Sequence, residues 1–259
     1  MRAARAFLGV SKNATSYGLI SELDWLLPHY ETRIKMLQYF SRIMNTPNSR
    51  LLFTVYKWDR HLNSSLNLKN WTSEIKIILA ENNAGHIFDA QRIFPIKLIT
   101  SEMKKSMQRA QNDLVKAECE RKPKLRTFLK FKDFNELAPH VGKPLSFVER
   151  KTVSQLRLGM LQLRIETARY LRPIIPENER FCYCGSGSIE TEYHAMFECI
   201  KYGELRAQWL DQLNIPNNFE NLSDDLKFKL VLNMPENIRK IAKFLVCMMV
   251  SRRLQNNEY

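Results

Sequence analysis

The stretch from Glu179 to Arg206, ERFCYCGSGSIETEYHAMFECIKYGELR, decides how the chain is read. It places Cys182, Cys184, His194 and Cys199 in the spacing Cys-x-Cys-x9-His-x4-Cys, so three of the five cysteines fall within one short segment. Zinc takes four nitrogen or sulfur ligands in a tetrahedron, with Zn–S near ~2.3 Å and Zn–N near ~2.0 Å. Two cysteines on a tight turn can supply one edge of that tetrahedron, and a His and a Cys from a short helix the other. Gly185, Ser186 and Gly187 can reverse the chain between the two edges. Glu190 and Glu192 then fall at the start of the helical segment, where carboxylates complement the positive end of a helix dipole. Ile189, Tyr193, Phe197 and Ile200 recur at helical spacing and are expected to pack on a neighbour. On a continuous α-helix, His194 and Cys199 would lie roughly 140° apart at ~3.6 residues per turn, so the helix is expected to end before Cys199. The weak corner is Cys-x-Cys, because two sulfurs at i and i+2 must be bent to within about 4 Å to share one ion. The bland alternative is three buried thiols and a packed histidine.

Outward from this segment the pattern is helical, and the expected fold class is mainly α. It comprises a bundle-like helical region, a small zinc knuckle and C-terminal helices. Four parts are expected: a helical region at 1–95, a basic helical region at 96–176, the knuckle at 177–215 and closing helices at 216–259. Leu19, Leu23 and Leu26 share a face in a segment stopped by Pro28. HYETRIKMLQYFSRIM places Tyr30, Ile34, Leu37 and Ile43 on one stripe. Helices over 50–62 and 68–82 follow, the second with Trp71, Ile75 and Ile78 inward. The longest uninterrupted pattern runs from Ile96 to Glu120, with Leu98, Met103, Met107, Ala110, Leu114 and Ala117 in line. LRTFLKFKDF alternates like a strand or extended linker. Further helices are expected from Phe147 to a break at Gly159, from Tyr202 to Leu213, over 223–232 and over 236–254. Cys119 and Cys247 sit on apolar helical positions and are expected in the core.

Forty Lys and Arg against twenty-seven Asp and Glu leave the 259-residue chain at +13. Such an excess favours a polyanionic partner, nucleic acid before acidic membrane. Two basic groups stand out. The first includes Lys104, Lys105, Arg109, Lys116, Arg121, Lys122, Lys124 and Arg126, and its ERKPKLRTFLKFK centre interleaves Phe128 and Phe131 with charge. That arrangement suits a single strand of nucleic acid, or equally a solvated face with two core phenylalanines. The second includes Arg157, Arg164, Arg169 and Arg180, leading into the cysteine segment, where Phe181 or Tyr183 can stack on a base. Structural roles for these arginines would pair them with Glu149 or Glu166. The N-terminus has no secretory signal pattern and no stretch suits a membrane span, so an intracellular, cytoplasmic or nuclear, reduced-thiol setting is expected.

The string R-F-C-x-C, then I-E-x-E-x-H-x4-C-x-x-Y, then L-R, resembles the CCHC zinc-knuckle region near the C-terminus of non-LTR (LINE-like) retrotransposon reverse transcriptases. SQLRLGMLQLRIETARY (Ser154–Tyr170) looks like the segment that these proteins place just before the knuckle. The N-terminal RAARAFLGV and GLISELDWLLPHYETRIKMLQYFSRIMN are similar to the segment following their polymerase core. The resemblance implies a zinc-binding, RNA- or single-stranded-DNA-binding C-terminal fragment, with fingers and palm lying before Met1. The family's aromatic-x-Asp-Asp motif is missing. Asp224–Asp225 instead sits at a helical start with Ser223 as expected N-cap, so a non-catalytic role is expected. The alternatives are a helical protein–protein interaction module of host origin and a decayed element remnant without function.

Overall fold

The computed structural model describes residues 1–91, 96–134 and 136–256. In chain order its helices are α1 (Arg2–Leu8), α2 (Ser16–Glu22), α3 (Pro28–Met44), α4 (Leu51–Leu66), α5 (Trp71–Glu81), α6 (Gly85–Ala90) and α7 (Ile96–Glu120). There follow α8 (Phe128–Phe131), α9 (Pro139–Gly142), α10 (Phe147–Arg157), α11 (Arg164–Thr167), α12 (Gly203–Leu210), α13 (Asp224–Asn233) and α14 (Ile238–Asn256). The protein is mainly α. Among the described residues, β-structure is limited to a single antiparallel bridge between Phe181 and Ile189.

The chain divides into two compact units, Met1–Trp25 with Leu114–Tyr259, and Leu26–Asp113. The boundary expected at 95 falls outside the described residues. In the first unit α10 packs along α14 and α8 against α13, around Phe128, Phe131, Leu156, Leu163, Phe228, Ile241, Leu245 and Met248. In the second, α3, α4, α5 and α6 enclose Leu37, Phe40, Ile75, Ile78, Leu79 and Phe88.

Local chemistry sets several boundaries. α10 begins with a capping box: the Ser146 hydroxyl accepts from the Glu149 amide at 3.3 Å, and the Glu149 carboxylate accepts from the Ser146 amide at 2.8 Å. It ends before Gly159, whose φ of 61° is left-handed and whose absent Cβ would stand 1.8 Å from the Lys124 carbonyl oxygen. Only glycine fits there. α5 has its own box between Asn70 and Ser73.

Several expectations are corrected. Pro28 opens α3 rather than closing the preceding helix, which stops at Glu22; proline suits a first helical turn, where its missing N–H costs nothing. The alternating LRTFLKFKDF is a 3-10 turn at Pro123–Leu125 followed by α8, and both Phe128 and Phe131 are core residues. Along α7 the buried positions are Met103, Met107, Gln111, Val115 and Cys119, while Ala110, Leu114 and Ala117 are exposed. Each four-residue step advances around the helix by about 40°, so the buried line winds instead of running straight. Met103 and Met107 belong to the core of the second unit, Val115 and Cys119 to that of the first. The side chain of Leu98 lies outside the described residues. Cys119 is buried as expected, and that burial pushes its thiol up to about 12. Cys247 is exposed on α14. α13 starts where expected, but the Ser223 side chain makes no cap hydrogen bond.

Candidate metal centre and its surroundings

The cysteine segment folds as a short hairpin followed by a tight turn of helix. Its two arms are joined by backbone hydrogen bonds from Cys182 N to Ser188 O at 2.8 Å and from Glu190 N to Arg180 O at 2.9 Å. Gly185 and Gly187 both take left-handed φ, 82° and 73°, in open space. They therefore serve backbone conformation and not close packing. The reversal follows Cys184, and the sulfurs of Cys182 and Cys184 lie within 4.8 Å of each other.

The other edge is made by a different device from the expected α-helix. His194–Glu198 is a π-turn, closed by the Cys199 amide donating to the His194 carbonyl at 2.7 Å. The wide i→i+5 ring brings position 199 back over position 194, where an α-helix would turn it away. The regular helix does end before Cys199, which takes an extended ψ of 120°.

The ligand atoms of Cys182, Cys184, His194 and Cys199 all lie within 4.8 Å of one another. Cys182 Sγ and Cys199 Sγ are 3.8 Å apart, and Cys184 Sγ is 3.4 Å from His194 Nε2. Ligands at zinc bond lengths and the tetrahedral angle would be about 3.8 Å apart for two sulfurs and about 3.6 Å for sulfur and nitrogen. The donor set fits a metal ion. Cys182, His194 and Cys199 are buried and Cys184 is half-buried. Glu198 holds the outer nitrogen of the ring, His194 Nδ1, at 3.2 Å, which turns Nε2 inward. Hydrogen bonding to Cys199 pushes Cys182 up, and the same bond holds Cys199 below the usual thiol value. For Cys184, burial acts upward but hydrogen bonds from Ser186 outweigh it and lower it. Burial would lower His194, yet its contact with Cys184 raises it.

Glu190 and Glu192 overturn their expected role. Neither is solvated at a helix end; both are about 1% exposed and lie in buried ion pairs. Glu190 receives Arg252 of α14 at both carboxylate oxygens, the Nη2 contact at 2.8 Å. It also accepts from the Arg164 amide at 2.6 Å and from the Cys182 thiol at 3.7 Å. Glu192 accepts from Arg126 at 2.6 Å. The hairpin is thus tied to two distant parts of the same unit beside Cys182 and Cys184. Tyr193 and Phe197 pack as expected, each against Phe228, at ring separations of 5.7 and 5.5 Å. Ile200 is instead 68% exposed, because the π-turn displaces everything after it from the α-helical register.

The basic candidates separate into three groups. Lys104, Lys105, Arg109, Lys116, Arg121 and Lys122 are exposed. Lys124 and Arg169 both pair with Glu166 at 2.9 Å, and Arg126 is held by Glu192. Arg157 and Arg180 are buried. Arg157 clamps Glu22 at 2.5 and 3.0 Å and donates to the Leu232 carbonyl, while Arg180 donates to the carbonyls of Ile165 and Ile175. These two guanidiniums face protein acceptors and have no path to a phosphate. Phe181 and Tyr183 are both exposed on the hairpin, and the Arg164 guanidinium lies 4.7 Å above the Tyr183 ring and bonds its hydroxyl. The Glu22–Arg157 pair, with His140 Nε2 3.6 Å from the same carboxylate, was not foreseen. Glu22 sits three positions past Leu19 in an amphipathic stretch, and nothing local marks it as buried. No family model, curated protein or solved structure matches this chain.

Proposed function

We propose that the chain is a non-catalytic, zinc-binding nucleic-acid-binding module, of the kind that follows the polymerase core in non-LTR reverse transcriptases. The observation that carries this reading is the convergence of Cys182, Cys184, His194 and Cys199 on one point. Three sulfurs and one nitrogen suit zinc, and four protein ligands close the tetrahedron, which is the pattern of a structural site. The metal's part is to hold the hairpin and the π-turn together. The Asp224–Asp225 pair lies at the start of α13 with Asp225 bound to Lys130 at 3.0 Å, an arrangement of surface carboxylates and not of a two-metal site.

For the partner, the support is the charge of +13, the exposed lysines and arginines, and the two aromatic rings beside the metal ligands. A single strand of RNA or DNA offers phosphates to the first and base faces to the second. The test is a titration of single-stranded RNA, and separately DNA, against nuclease-treated protein at several salt concentrations. Several phosphate contacts at a slope of ~0.7 each weaken binding on the order of a hundredfold between ~50 and ~200 mM salt. Binding that is absent, or flat in salt, would reject the nucleic-acid half of the reading and leave the metal half standing.

A further inference from the structure

Among the described residues, Glu190 is the buried carboxylate that reaches a cysteine of the cluster. Its Oε1 lies 3.7 Å from Cys182 Sγ, and the residue is 1% exposed. Three further bonds converge on it. Arg252 Nη1 bonds Oε1, Arg252 Nη2 bonds Oε2 at 2.8 Å, and the Arg164 amide donates to Oε2 at 2.6 Å. Arg252 arrives from the last turns of α14, 62 positions along the chain, and is itself 6% exposed. Its Nε donates to the Gln162 carbonyl at 2.7 Å, so every arm of the guanidinium fork is engaged and its orientation is fixed.

Charge gives this pair a meaning beyond packing. A cysteine must lose its proton to bind a metal, and three thiolates around one divalent cation leave the centre negative. A carboxylate 3.7 Å from one of those sulfurs, shielded from water, opposes the metal-bound state unless a cation offsets it. Glu198 also contacts the cluster, at His194 Nδ1, but it is exposed and water screens it. For Glu190 the offset is Arg252. The guanidiniums of Arg180 and Arg206 are turned to carbonyls instead, those of Ile165 and Ile175 for the first and of Cys199 for the second. Buried pairs add little net stability by themselves, so the placement of this one against Cys182 is its informative feature.

We infer, on the zinc reading proposed above, that Arg252 is the charge-balancing residue of the metal centre, raising its affinity for zinc by neutralising Glu190 beside Cys182. Coupling between two sites is reciprocal, so bound metal strengthens the docking of Arg252 by as much as Arg252 strengthens the binding of metal. The last turns of α14 are therefore held more tightly in the metal-bound chain.

The test is the zinc affinity of the full chain, measured by competition with a chromophoric chelator, in the native protein, Arg252→Met, Glu190→Gln and the double variant. Arg252→Met should weaken zinc binding by roughly ten- to a hundredfold, the range for groups that support metal ligands. Glu190→Gln removes the charge and keeps the shape, so its affinity should equal or exceed the native one. Adding it to Arg252→Met should restore most of the loss. A purely structural pair would behave otherwise: either single substitution would weaken zinc binding, and the double variant would do no better. Amide exchange gives the reciprocal readout and needs no variant. Zinc should slow exchange across 246–256 in the native chain, and much less in the double variant. Circular dichroism checks each fold. If Arg252→Met unfolds, the double variant decides, native-like affinity supporting the inference and a loss of about tenfold or more opposing it. Zinc binding by Arg252→Met equal to the native chain, Glu190→Gln as weak as Arg252→Met, or exchange at 246–256 indifferent to zinc would overturn the inference and leave the zinc reading standing. A native chain that takes no zinc would overturn that reading, and the inference with it.

Discussion

The two compact units solve burial in opposite ways. Among the described residues, every buried charged side chain lies in the first unit: Glu22, Lys132, Arg157, Glu166, Arg180, Glu190, Glu192, Lys227 and Arg252. The second unit buries hydrocarbon, aromatic rings and the uncharged Ser41, Thr72 and Gln111, and leaves an apolar stripe facing out. Buried ion pairs contribute little net stability, because desolvation offsets most of the Coulombic gain; breaking one partner away is what costs. The first unit is therefore tied together by paired charges, some at the hairpin of Cys182 and Cys184 and others around Glu22. The second resembles a layer of amphipathic helices that still has a free side.

The largest effect is expected at Cys182, Cys184, His194 and Cys199. Structural zinc contributes on the order of 10 kcal/mol to the folding of small sites. Chelation, or Cys199→Ser, should therefore loosen the segment 181–202. Increased amide exchange there, with protection in 26–113 unchanged, is the expected result. Uniform loss of protection would contradict the separation of the units.

Next in size is the Glu190–Arg252 pair. Arg252→Met leaves a carboxylate buried without its partner, and should destabilise the first unit by about 3–5 kcal/mol in chemical denaturation. Adding Glu190→Gln should return part of that loss, though not all, since Glu190 also receives Cys182 and the Arg164 amide. A single substitution costing under about 1 kcal/mol would show the pair to be incidental.

Acid should act on the same unit. Burial holds His140 down to about 3 against its usual 6.5, despite the pull of Glu22. An unfolded chain takes up that proton first, so stability falls as the pH drops from 6.5 toward 3, by on the order of a few kcal/mol. Glu22 is buried, which acts upward, but Arg157, His140 and Lys132 together hold it below 4.5. Its contribution is also lost in acid, as the pH falls below 4.5. The difference in stability between the native chain and His140→Leu, followed across that range, isolates the histidine. A difference independent of pH would mean that His140 is protonated in the fold.

The smallest effects on folding belong to the second unit's free side. Val55→Glu with Leu62→Glu changes exposed or half-buried positions and should shift stability by only about 0.5 kcal/mol per site in chemical denaturation.

The same contrast explains what was legible in the sequence. Hydrophobic periodicity placed α3, α5, α10, α13 and α14, because each satisfies a local pattern, to which α5 and α10 add capping boxes. The cluster of Cys182, Cys184, His194 and Cys199 was legible because metal chemistry ties residue type to spacing. The π-turn was not, since nothing in TEYHAMFEC marks an i→i+5 hydrogen bond apart from the need for His194 and Cys199 to meet. Nor were the buried pairs: Glu22, Glu190 and Glu192 read as surface residues until Arg157, Arg252 and Arg126 arrive from 135, 62 and 66 positions away. Phe128 and Phe131 show the converse, with a basic–aromatic pattern produced by a core helix and its solvated border.

Cys182, Cys184, His194 and Cys199 are proposed to form one closed zinc site. Elemental analysis of the purified chain beside its Cys199→Ser variant tests it most directly. One zinc per native chain is expected, and little or none in the variant after mild chelation. A native chain free of metal after expression in zinc-replete medium, or equal zinc in both proteins, would contradict it.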